Sequence, residues 1–126
     1  MSYTTISHCG YDHLEWLKSI DFYEDEFDIL ENRLMEIADK NSGQEVMAGV
    51  EHFQNQFIVQ RNNIDELRHS IREHAGKVAV DAKEHAGKME TYLIGEHGRV
   101  KEQFEIFEKV VKDLRQEFNL FLAKWM

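Results

Sequence analysis

Apolar side chains recur along this chain in alternating steps of four and three residues. Trp16, Ile20, Tyr23, Phe27, Leu30, Leu34 and Ile37 form the first run. A repeat of this kind keeps every member on one stripe of an α-helix, whereas a strand would alternate every second residue. Leu17 beside the stripe widens it beyond a narrow coiled-coil seam. The spacing predicts a first helix over about 12–39, with Asp12 and Glu15 as a capping pair at its start.

A break follows at Lys40-Asn41-Ser42-Gly43. Ser42 and Glu45 have the spacing of a capping box, which predicts a second helix over about 44–86. Val46, Val50, Phe53, Phe57, Ile64, Leu67 and Ile71 keep the rhythm there, with Gln60 in one stripe position. So short a connection makes the two helices antiparallel. That register sets Phe57 beside Phe27, Phe53 beside Leu30 and Gln60 beside Tyr23. A buried amide needs a polar partner, and Tyr23 is the expected one.

Glu-His-Ala-Gly-Lys occurs at 73–77 and again at 84–88, followed by a looser Glu96-His97-Gly98-Arg99. Gly76, Gly87, Gly95 and Gly98 each weaken a helix by about 1 kcal/mol relative to alanine. The second turn is therefore expected near Gly87, with Asp81 and Glu84 offering a competing helix start. A third helix over about 90–125 carries Leu93, Val100, Phe104, Phe107, Val111, Leu114, Phe118, Phe121 and Trp125. The expected fold is all-α: one domain over 1–126, an up-down-up antiparallel bundle of three long amphipathic helices.

Phe22, Ile29, Ile58, Ile106 and Leu120 fall outside the three stripes. Homodimerisation, or another protein partner, is the expected way of covering such residues. The C-terminal aromatics Phe118, Phe121 and Trp125 are expected to pack beneath Leu34 and Val46 and close the bundle.

Composition changes the picture mainly by exclusion. Hydrophobic residues make up 42% of the chain and charged residues 31%, as in a globular protein, and there is no proline to interrupt a helix. A net charge of −9 repels phosphate backbones and anionic lipid, so neither nucleic acid nor membrane is an expected partner. No run approaches the ~20 apolar residues that span a bilayer. Met1–Thr5 lacks the features of a signal peptide, and the single cysteine, Cys9, cannot form an internal disulfide. A cytoplasmic protein is expected. The acidic run from Asp21 to Asp28 lacks the glycine and spacing of a calcium loop and reads as a solvated helix face.

Seven histidines are many for 126 residues, and their placement carries the chemistry. Extending the stripes puts Cys9 and His13 on the core face of the first helix, His74 on that of the second and His97 on that of the third. His8 falls within about one turn of this set. Four such side chains suit zinc, which takes imidazole and thiolate in tetrahedral geometry. Asp12, Glu66, Glu73, Glu96 and Glu102 lie near enough to orient the ligands, or to act as oxygen ligands for non-haem iron instead. Glu66-Leu67-Arg68-His69 has Glu-x-x-His spacing. Without a second such motif, Glu66, His69 and Glu73 are the weaker candidates, and the phase puts His69 outside. His52 and His85 stand apart.

In its inward histidines on a helical bundle the chain resembles hemerythrin-like and ferritin-like proteins. The ligand spacings of neither family occur here, so no functional residue carries over. No phosphate loop, His-Glu-x-x-His, Cys-x-x-Cys or nucleophile–base pattern is present. Catalysis is not the expected role. The competing expectation is a plain scaffold with no cofactor, its histidines half-exposed at a bundle end.

Overall fold

A computed structural model describes residues 6–85 and 90–126. It contains three helices, α1 (Ile6–Lys40), α2 (Gln44–Glu84) and α3 (Thr91–Trp125), each packed on both others. Phe27 meets Phe57 while Asp21 meets Arg68, and Phe53 meets Phe118 while Lys77 meets Glu96, so α2 runs antiparallel to both neighbours. The three-helix bundle is therefore the fold, and no described helix is long and apolar enough to cross a membrane. The turn expected near Gly87 lies outside the described residues.

The core follows the stripes residue by residue. Trp16 through Ile37, Val46 through Ile71 and Val100 through Phe118 supply one continuous cluster. Gln60 holds its stripe position and is buried. Its partner differs from the expected one. Tyr23 donates its hydroxyl to Glu108 Oε2 at 2.8 Å, and Gln60 Oε1 accepts from Asn63 at 3.2 Å. A phenol reaches beyond the ring it buries, here to the α1–α3 seam, while the shorter amide is satisfied one turn along its own helix.

Helix α1 is already formed at Ile6, the first described residue, well ahead of the start expected at Asp12. The stripe stays in phase through Cys9 and His13, both buried, and that burial outweighs the local capping signal at Asp12. Gly10 faces solvent with open space where a Cβ would stand, so it does not interrupt the turn. The Ser42–Glu45 capping box also fails to form. Gly43 is the N-cap of α2, with no side-chain bond to the helix. Asn41 instead closes α1, donating to the Ile37 carbonyl at 2.9 Å.

The acidic run of α1 is more than a solvated face. Arg68 of α2 reaches Asp21 and Glu24, Arg61 of α2 reaches Asp28 and Glu31, and Arg115 of α3 reaches Glu26. Partly exposed pairs of this kind each add little stability, ~1 kcal/mol or less. As a ladder they favour one register of α1 against its neighbours. At the far end Phe121 packs on Phe53, with ring centroids 5.0 Å apart, over a helix surface left open by Gly49.

Candidate metal centre

Near the N-terminal end of α1 the core changes from apolar to imidazole. His13 of α1, His74 of α2 and His97 of α3 occupy one layer, each at a stripe position, and are 6%, 1% and 3% exposed. Ring centroids are 5.1 Å apart for His13–His74 and 5.3 Å for the other two pairs. One ring nitrogen from each lies within 4.8 Å of the others. Trp16 floors the layer, stacked on His97 at 4.9 Å and edge-on to His13 at 5.7 Å. Cys9, Val78 and Leu93 form the apolar layer above.

The hydrogen bonds assign the ring nitrogens. His74 Nε2 lies 3.0 Å from the Leu93 carbonyl, which can only accept, so Nε2 carries the proton. In the neutral ring that leaves Nδ1 as the lone-pair nitrogen, 2.9 Å from His13 Nε2. His97 Nε2 lies 2.8 Å from Asp12 Oδ2 and donates to that carboxylate. Its Nδ1 is buried with no partner among the described residues. Leaving such an atom unsatisfied costs about 1–3 kcal/mol.

Burial disfavours the charged form of two of the three rings. Burial, with the neighbouring imidazoles adding to it, pushes the His13 pKa down to about 4. Burial also lowers that of His97, against the opposing pull of Asp12. Neutral imidazole is the form that binds metal.

A metal ion fits these donors. Ligating histidines characteristically donate their other N–H to a carboxylate or a backbone carbonyl. Asp12 and the Leu93 carbonyl supply one of each. Two imidazoles on tetrahedral zinc, at ~2.0–2.1 Å, hold their nitrogens about 3.3 Å apart. The His13–His74 pair at 2.9 Å needs only a small spreading to admit an ion, with the His13 proton moved from Nε2 to Nδ1 so that the ring ligates in its neutral form.

The other candidates lie elsewhere. Cys9 is fully buried but belongs to the next layer, and it is not one of the group of three. Burial, with Asp12 contributing, pushes its thiol pKa up to about 11, which disfavours the thiolate a metal would want. His8 is exposed, 3.5 Å from Asp12 Oδ2. Its place just before the stripe leaves it outside the core. His69 and Glu73 pair with each other on the solvent side, and Glu66 is exposed too. Sequence reasoning missed the Leu93 carbonyl, since every residue has one and no pattern marks it.

Fold and site together define a three-helix bundle with one buried layer of three histidines. Compared with known protein families, curated proteins and solved structures, the chain matches none.

Proposed function

We propose that this protein binds a divalent transition metal, zinc in the first instance, through His13, His74 and His97. The observation that carries this reading is His97: one ring nitrogen anchored on Asp12, the other buried without a partner. A coordinated ion would satisfy that nitrogen. Three imidazoles with no carboxylate among them suit zinc better than iron(II), whose oxygenase sites take two histidines and a carboxylate. With three protein ligands, zinc keeps a fourth position for water or an anion. The donor set supports binding, for storage, sensing or structural use, and no catalytic step is assigned to it.

Elemental analysis of untagged protein purified in zinc-containing buffer tests this directly. About one equivalent is expected, lost in His74→Ala and in His97→Ala. Wild-type protein that fails to reach micromolar affinity for zinc, cobalt or iron would overturn the reading.

A second reading is self-association. Phe22, Ile29 and Ile106 are each close to 60% exposed, and a second copy of the chain would cover them. Light scattering at micromolar concentration tests it, and a monomer there would rule it out.

A further inference from the structure

Beyond the Cys9 layer, α2 ends against the start of α3. Asp81 is the last stripe residue of α2 and is buried at 6% exposure. Its Oδ2 accepts the backbone N–H of Glu90 at 2.8 Å, so the N-cap residue of α3 is tied to a side chain of α2. His85, the C-cap of α2, sits across the same corner. Its Nδ1 lies 2.7 Å from Asp81 Oδ1 and 3.1 Å from the Asp81 carbonyl, and its Nε2 lies 3.3 Å from Glu90 Oε1.

Every one of those acceptors is an oxygen that, in a carbonyl or an ionised carboxylate, cannot donate. A neutral imidazole has one N–H and a protonated one has two. Both ring nitrogens of His85 face acceptors, so the corner is built for imidazolium. Among the described residues, Asp81 from α2 and Glu90 from the start of α3 are the charged groups facing the ring. Lys77 and Glu84 line the shallow depression beside Asp81, with Tyr92 across from them. Lys77 is engaged with Glu73 and Glu96 at 3.6 Å each.

We propose that His85 is a proton-operated clasp which sets how firmly α3 is held at its first turn. From that turn the hold passes to the histidine layer. The Glu90 carbonyl accepts the Leu93 N–H at 3.0 Å, and the Leu93 carbonyl in turn orients His74. The effect on metal retention rests on the metal-binding reading; the clasp itself does not.

The contacts with the Asp81 carbonyl and then the two carboxylates raise the His85 pKa above its ordinary value. The sign follows. A histidine raised in the folded state contributes its hold fully below the unfolded value of about 6.5 and loses it as pH climbs through the raised value. The clasp is shut below about 6.5 and opens as pH climbs through the raised value.

Metal-free protein tests this by NMR. The His85 ring is expected to titrate above about 6.5, and Glu90→Gln should lower that midpoint. Protection of the Glu90 and Leu93 amides from hydrogen exchange, corrected for intrinsic pH dependence, should fall several-fold across the midpoint. In His85→Gln it should be flat. A wild-type midpoint at or below that of a free histidine overturns the clasp, as does pH-dependent protection surviving in His85→Gln. With zinc bound, the dissociation rate should rise across the same midpoint in wild type alone. Absence of any metal binding would overturn the metal reading while the exchange data still decide the clasp.

Discussion

Asp12 holds His97 by one ring nitrogen, with Oδ2 2.8 Å from Nε2, and thereby presents the opposite nitrogen to the interior of the bundle. Neither residue alone makes a site. The carboxylate selects the tautomer, and the tautomer leaves the lone pair on the buried Nδ1.

Removing that carboxylate should weaken metal binding without dismantling the fold. Asp12→Ala is expected to cost about 10–100-fold in zinc affinity, with Asp12→Asn falling between it and wild type. Trp16 stacks on His97 and reports occupancy. In a Trp125→Phe background, cobalt should quench the remaining indole fluorescence at one equivalent, and Asp12→Ala should need far more. Unchanged affinity in Asp12→Ala would remove Asp12 from the site.

His97→Phe separates a ligand from a packing residue. The phenyl ring keeps the stack on Trp16 and eliminates the unsatisfied Nδ1. Metal binding should be lost while metal-free stability stays level or rises by about 1 kcal/mol. A marked loss of stability on denaturant titration would instead make His97 a structural hydrogen-bonding residue.

Acid should destabilise the metal-free protein through the same layer. His13 is protonated near 6.5 when unfolded and only near 4 when folded, because burial disfavours the charged ring. Between those values the unfolded state binds more protons, so stability falls as pH drops. The slope is at most ~1.4 kcal/mol per unit for one proton. This contribution is intact above about 6.5 and fully lost below about 4. His97 acts in the same direction, and the exposed His85 in the opposite one. Denaturation midpoints from pH 4 to 7.5 should decline less steeply in His13→Phe, and a flat wild-type profile would contradict the assignment.

Two glycines in α2 should respond to alanine with opposite signs. Gly76 has open space around it, so Gly76→Ala should stabilise by about 1 kcal/mol through helix propensity. A methyl group at Gly49 would collide with the Phe121 ring, so Gly49→Ala should destabilise by about 1–2 kcal/mol. Thermal melts of the two variants decide the matter, and a stabilising Gly49→Ala would show that Phe121 moves aside freely.

Much of this was readable from the chain alone. The four–three rhythm depends only on residue order, and burying such a stripe leaves a long helix few alternatives. It placed His13, His74 and His97 on core faces, and short connections made the helices antiparallel. It was less able to say where α1 starts. Capping at Asp12 is a local preference worth ~1 kcal/mol, and the burial of Cys9 and His13 outweighs it only once α2 and α3 are in place.

Tertiary structure alone decided the rest. Layer height separates Cys9 from the three imidazoles, although sequence spacing puts Cys9 and His13 on the same face. Tautomers depend on the Leu93 carbonyl and the Asp12 carboxylate, which reach the rings across helix boundaries. Ion pairs from α1 to Arg61, Arg68 and Arg115, and the clasp at Asp81, His85 and Glu90, likewise join residues far apart in order or brought round a corner. Periodicity encodes which side of a helix a residue occupies. Hydrogen bonds need distance and direction, and those exist only after three helices have settled their mutual height and rotation.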